Sequence, residues 1–232
     1  MLAHDLGRIA YADALALQRR AAAARVAGEL TEDLLLLCEH PPVVTMGRSA
    51  KAANLLLSET ALAARGIELY EVERGGDVTF HGPGQLVAYP ILDLTGHRQD
   101  LHWYLRQLEE VVIRAVASVG IVADRNPGKT GVWTDGRKLA SIGVHARQWV
   151  TWHGVAMNVT TDLRYFDVMV PCGIADVTMT SVQAELTRAG TAPDATALTR
   201  QLFEATITAF ADAFAVPVLL SPDLPVPLRS AD

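Results

Sequence analysis

An Asp135-Gly136 pair stands between two strand-like runs, Gly131–Thr134 and Lys138–Val144. Asp-Gly accepts the positive backbone dihedrals of a two-residue hairpin turn, so the flanking runs must pair antiparallel. Elsewhere strand-like and helix-like segments alternate, a pattern that alone would indicate parallel strands joined by crossover helices. The hairpin is incompatible with a purely parallel sheet. The fold class predicted is therefore α/β, with a mixed sheet flanked by helices.

The other segments fill in that frame. An alanine-rich stretch with Leu15, Leu17 and Val26 predicts a helix over Tyr11–Gly28. Leu34–Cys38, bounded by Asp33 and His40-Pro41-Pro42, reads as a buried strand, and Val43–Met46 as a second one. Gly47–Asn54 is a polar loop. A short helix over Ser58–Arg65 is followed by Gly66 and a strand around Ile67–Glu73. Leu86–Leu94 is an apolar strand, and Leu101, Leu105, Leu108 and Val112 give Asp100–Val119 helical spacing up to Gly120. Val150–Val159 reads as a strand, Ala195–Ala215 as the last helix, and Pro217–Pro227 as an extended tail. No repeat or linker divides the chain, so its 232 residues are expected to form one domain with a sizeable core.

Half of the residues are apolar and a fifth are charged, and the formal net charge is -6. That balance argues against a general nucleic-acid binder, which needs a basic face. Arg48, Lys51, Arg74, Arg137 and Arg147 still cluster in or near the motif-bearing segments, where they suit an acidic partner. Met1–Ala10, with His4, Asp5 and Arg8, does not have the form of a secretory signal, and no apolar run approaches a membrane span. Two cysteines are too few for a disulfide framework and fit a reducing compartment. A soluble cytoplasmic protein is the expectation.

Arg74–Pro90 reads RGGDVTFHGPGQLVAYP, with four glycines and two prolines around one histidine. Glycine lets a ligand approach the main chain closely, so a Gly-rich stretch running into an apolar strand reads as a shaped binding loop. Downstream, Pro171-Cys172-Gly173 places a thiol in a turn outside any periodic apolar run, whereas Cys38 ends the run LLLLC and reads as core. A free cysteine is often only a small buried hydrophobe. If either thiol reacts, Cys172 is the one. At a free pKa of about 8.5 a thiol is mostly protonated at neutral pH and needs a positive neighbour. Lowering that value by about two units takes roughly 2.7 kcal/mol, which one close ammonium in a partly dry site can supply. Lys138 opens the apolar strand of the hairpin and its stem can reach sideways; the local pattern by itself favours an ordinary surface lysine. His81 and His153 are each either a general base beside Cys172 or a buried imidazole bonded to the backbone.

Metal binding is not indicated, because Cys38-Glu39-His40 is too tight a pair and no CxxC or HExxH accompanies it. Gly128-Lys129-Thr130 resembles the end of a phosphate-binding loop. The first glycine of that motif would fall at Ala123, however, and Pro127 interrupts the loop. Nor does GGDVTFHGPG match GxGxxG, so neither ATP nor NAD is implied.

RGGDVTFHGPGQLVAYP, GVWTDGRKLASIG, HGVAMNV and FDVMVPCGIADVTMTS resemble the lipoyl(octanoyl) transferases in order and spacing, closely over Arg74–Ser181, and LLLLCEHPPVVTMGR is also similar. The resemblance implies the α/β catalytic domain shared by biotin and lipoate protein ligases. It implies transfer of an octanoyl (or lipoyl) group from the thioester of acyl carrier protein to a lysine of lipoyl domains. The acceptors would be those of 2-oxoacid dehydrogenase complexes and the glycine cleavage H protein, and the step would be the first in protein lipoylation. By motif match Cys172 is the acyl-thioester nucleophile and Lys138 the residue that depresses its pKa. Arg74, Gly75, Gly76, Asp77, Val78, Thr79, Phe80 and His81, then Ser141, Ile142 and Gly143, then Gly154, Val155 and Ala156 correspond to the substrate-contacting segments. Thioester exchange requires no nucleotide, so no cofactor is implied. Backbone N–H groups near Gly143 and Cys172 are candidate oxyanion donors, and Ala140, Gly143, Gly154 and Ala156 leave room for an eight-carbon chain. Two other readings differ in chemistry: an ATP-dependent lipoate or biotin-type ligase on the same fold, and a thioester hydrolase using Cys172 with His81 or His153.

Overall fold

The computed structural model describes residues 1–170 and 177–228. Its larger sheet has eight strands: β1 (Leu2–Arg8), β2 (Leu34–Glu39), β6 (Gln85–Ile91), β7 (Asp124–Asn126), β8 (Lys129–Thr134), β9 (Arg137–Arg147), β10 (Val150–Asn158) and β11 (Leu219–Leu220). Their spatial order is β11-β1-β2-β6-β10-β9-β8-β7. The β11–β1–β2 edge is parallel and every later pairing is antiparallel. The sheet is mixed, as the hairpin requires. Asp135 at φ 44° and Gly136 at φ 77° turn the chain between β8 and β9.

The central strands explain the unbroken apolar runs. Leu34 and Leu36 of β2 pack with Ala14, Leu17 and Ala21 of α1 (Tyr11–Ala27), while Leu35 and Leu37 pack into the opposite layer. That layer holds α3 (Leu101–Ala117) and α5 (Ala195–Phe214), with Leu108, Val112, Leu202 and Phe210 against the sheet. A strand covered on both faces has no polar side and so loses the alternation of a half-exposed one. The alanines of α1 let it lie close to the sheet, and Gly28 at φ 76° ends it by giving its N–H to Ala24 and Arg25 carbonyls. Asp100, which opens the expected Asp100–Val119 helix, caps α3 by accepting from His102 and Trp103.

A second, three-stranded sheet has the order β4 (Glu68–Glu71), β3 (Val43–Met46), β5 (Val78–His81). Its own small core joins Val44, Val78 and Phe80 to Leu62 of α2 (Glu59–Ala63) and to Phe166 and Val168. β5 lies inside what the sequence presents as a Gly-rich loop. The loop is thus two connecting segments around a buried strand. Leu86–Leu94 stops as a strand at Ile91, because the Asp93 side chain caps a 3-10 turn by accepting from Thr95 N–H. The tail expected to be merely extended adds Leu219–Leu220 beside Leu2–Ala3, and Val226–Leu228 form a 3-10 turn. A short helix, α4 (Val182–Arg188), is capped by Ser181.

Candidate active site

A cavity of about 210 Å³ lies where the small sheet and its Gly-rich connection meet the larger sheet. It gathers most of the residues picked out from sequence. Arg74, Gly76, Asp77, Val78, Thr79 and His81 form one wall; Lys138, Ser141, Ile142, Gly143, Gly154, Val155 and Ala156 form the facing one. Two expected residues stand behind the surface. Gly75 donates its N–H to Val144 O at 2.8 Å, tying the connection to β9. The Phe80 ring stacks on Tyr165 with centroids 4.6 Å apart, inside the small core. Cys172 lies outside the described residues.

Lys138 is 1% exposed, which sets aside the surface-lysine reading. Charged side chains are almost never buried to that degree without partners. Its depth comes from a strand-like contact made by the chain after residue 176. Lys138 N–H donates to Thr178 O at 2.8 Å and Lys138 O accepts from Thr180 N–H at 2.9 Å. On the other side of residues 171–176, Val170 N–H donates to Asn54 O at 2.8 Å, and Asn54 Nδ2 donates to Asp77 Oδ2 at 2.7 Å. The described residues on both sides of that segment are therefore fastened to the cavity walls.

A buried polar chain links the two walls. Gln85 Nε2 donates to Phe80 O at 3.1 Å and to Asn158 Oδ1 at 2.9 Å, which leaves Gln85 Oε1 as an acceptor. His81 Nδ1 lies 2.8 Å from that oxygen, so we assign it the proton and leave Nε2 as an acceptor. Asn158 Nδ2 donates to Thr180 O at 2.9 Å, and Thr180 in turn pairs with Lys138. Burial, then the facing His40, pushes the His81 imidazole down to about 3, so it is neutral. Arg74 is turned inward: Nη2 donates to Thr45 O at 2.6 Å, Nε to Thr45 Oγ1 at 3.2 Å and Nη1 to Gly75 O at 3.0 Å. It shapes the connection as well as lining the cavity.

His153, at φ 57°, is almost fully buried. Its Nε2 stands 3.8 Å from Glu73 Oε2. Burial lowers the His153 pKa, and His153 beside Glu73, with Arg19 and Trp152, holds that carboxyl far below the usual range. Gly154 owes its identity to packing rather than to ligand space, because a Cβ there would collide with the Ala88 carbonyl oxygen of β6. A Cβ at Gly143 would meet Gly75 O at 2.8 Å. Ala140 faces the α3–α5 layer. Of the four small residues expected to leave room for an acyl chain, Ala156 stands most directly for that role.

Sequence reading passed over Tyr11, Val87, Tyr89 and the rim residues Gly128–Thr130, all on the cavity wall. Strand alternation was the available signal for Val87 and Tyr89, two residues apart in β6. His40 Nδ1 donates to Ile9 O at 2.8 Å, so its Nε2 accepts the Tyr89 hydroxyl at 2.8 Å. Cys38 is buried beside them and its thiol pKa is pushed up by burial. Among the described residues, no three His, Cys, Asp or Glu side chains are grouped to hold a metal ion. Among the same residues, no helix is long and apolar enough to cross a membrane. Of the five basic residues near the motifs, Arg137 is committed to Glu185 through two contacts of 2.8 Å, while Arg48, Lys51 and Arg147 are exposed.

Comparison with known proteins adds four findings. The family model of the lipoyl protein ligase A/B catalytic domain matches residues 10–206. An octanoyltransferase of Acidobacterium capsulatum is 52% identical over 78% of this chain and 78% of its own length. An octanoyltransferase of Geobacter metallireducens is 52% identical over 81% of this chain and 84% of its own. Among solved structures, lipoate-protein ligase A bound with ATP superposes with a TM-score of 0.73 at 15% identity, covering 98% of this chain and 91% of that one. At that identity the superposition bears on the fold alone.

Proposed function

Since this chain belongs to the octanoyltransferases, within the family of the lipoyl protein ligase A/B catalytic domain, we propose that its cavity holds an octanoyl group carried as a thioester on Cys172. The chain is an acyltransferase of protein lipoylation. The donor in this reading is octanoyl acyl carrier protein, and the acceptors are lysines of lipoyl domains, including those of 2-oxoacid dehydrogenase complexes and the glycine cleavage H protein. The observation that carries the reading is the complete burial of an amine, Lys138, in the cavity wall beside the chain returning from the Cys172 segment.

The chemistry follows from those groups. The Cys172 thiolate attacks the thioester carbonyl carbon of the donor and expels the carrier thiolate, which takes the proton from the Lys138 ammonium. The acceptor amine then attacks the Cys172 thioester and passes a proton to neutral Lys138 as the thiolate leaves. The ammonium is thereby restored. An apolar cavity of about 150 Å³ holds benzene, so 210 Å³ suits a chain of about eight carbons. Burial at about 0.8 kcal/mol per methylene supplies several kcal/mol of binding. His81, neutral and committed to Gln85, serves this reading as a wall and not as a base. The exposed Arg48 and Lys51 flank the Arg74–Asp77 wall through backbone contacts and suit an acidic carrier.

Intact-mass spectrometry after mixing with octanoyl carrier protein tests the proposal. The expected result is a gain of one octanoyl unit that Cys172→Ala abolishes. Full transfer by Cys172→Ala, or transfer that requires free octanoate and ATP, overturns it.

A further inference from the structure

Lys138 is held from the side by two residues of the neighbouring strand. Trp133 is its cross-strand partner in the β8–β9 hairpin, and Lys138 Nζ lies 5.5 Å from the centroid of the indole ring. Trp133 is 5% exposed. Two residues earlier, Gly131 at φ +132° leaves a slot: a Cβ there would stand 2.9 Å from Lys138 Cε and 2.6 Å from Ala140 O. Gly131 is itself fixed from the opposite layer, where its N–H donates at 3.2 Å to Oε1 of the fully buried Glu109 of α3. The lysine stem therefore passes a gap that only glycine leaves open, and its head lies against an aromatic face.

We propose that Trp133 is a positioning residue for the acyl transfer, its indole face and the Gly131 slot together holding the Lys138 amine in the cavity wall. This deepens the reading in which Lys138 and Cys172 work together and rests on it. The attraction between a cation and an indole face is strongest where water is excluded, as it is around a lysine this deeply buried. Hydrogen bonding is not what holds the ring, since Trp133 Nε1 has no acceptor among the described residues. Lys129 Nζ lies 5.4 Å from the same ring, but Lys129 sits at the half-exposed rim, where its charge is solvated.

The test compares Trp133→Leu, Trp133→Phe and Lys138→Ala in a Cys38→Ala background, which leaves Cys172 as the sole thiol. Two quantities are read: kcat and KM for octanoyl transfer, and the pH profile of Cys172 alkylation by iodoacetamide. Removing a desolvated cation–π contact should lower kcat of Trp133→Leu by about 3- to 30-fold with little change in KM. The midpoint of alkylation should move to higher pH, because in this reading an ammonium no longer held in place stabilises the Cys172 thiolate less. Trp133→Phe, which keeps an aromatic face, should recover most of both effects. A kcat and midpoint in Trp133→Leu equal to the parent overturn the proposal. So does an equal loss in the Leu and Phe variants with no movement of the midpoint, which is the mark of packing alone. Parental turnover in Lys138→Ala overturns instead the catalytic reading on which the proposal rests.

Discussion

His81 gives the protein an acid-sensitive component of stability that can be measured against a single substitution. The imidazole is buried, donates Nδ1–H to Gln85, and is held at about 3 against an ordinary value of 6.5, chiefly by burial. Above pH 6.5 neither the folded nor the unfolded chain binds a proton here, and the stabilisation is fully present. Below that value the unfolded chain takes up the proton, whereas the folded one resists until about 3. Stability therefore falls with pH across that window, by about 1.4 kcal/mol per unit. Between pH 6.5 and 5 the loss is about 2 kcal/mol, equivalent to roughly 4–8 °C in Tm for a chain of this size. His81→Asn keeps an amide donor for Gln85 and removes the titration. The assay is urea and thermal unfolding of both proteins at pH 7 and pH 5. His40, His153 and the acidic groups titrate alike in each, so the difference isolates His81. An Asn variant that loses as much stability as the parent between the two pH values refutes the argument.

Two further substitutions test the walls. Gly154→Ala forces a methyl against the Ala88 carbonyl oxygen, where two central strands cannot separate, and should cost about 1–3 kcal/mol, read as a lowered thermal midpoint. A midpoint within about a degree of the parent would show that β6 and β10 yield there. Glu109→Ala strips the buried Gly131 N–H of its acceptor and should cost about 1–3 kcal/mol in urea unfolding. Glu109→Gln, which keeps an acceptor oxygen, should recover part of that loss.

Local pattern was enough wherever one element's own spacing decides its structure. The Asp135-Gly136 turn, the Leu-rich spacing of α3 and the run Leu34–Cys38 each carry their own signal. β1 did not, because His4 and Asp5 interrupt its apolar side chains; it is a strand since Leu34–Leu37 and Leu219–Leu220 lie on either side of it. Those partners are distant in sequence, and no window could supply them. The same holds for Lys138. Its neighbours along the chain describe a strand end at the surface, while residues 178–180, forty positions on, bury it. Tyr11 opens an alanine-rich helix that packs on the sheet, and nothing in that pattern shows that its ring also stands over His81 at 6.0 Å. Gly128–Thr130 leads into a strand and not a helix, and it borders the cavity.

The relay His81–Gln85–Asn158–Thr180–Lys138 runs through hydrogen bonds from one cavity wall to the other and ends on the Lys138 backbone carbonyl. Each amide in it has a fixed orientation because Gln85 Nε2 donates to Phe80 O and Asn158 Nδ2 to Thr180 O, so reversing either amide costs it a backbone partner. The two halves of the pocket therefore share one electrostatic setting. Substitutions at His81 and Gln85, which share a hydrogen bond, will not add.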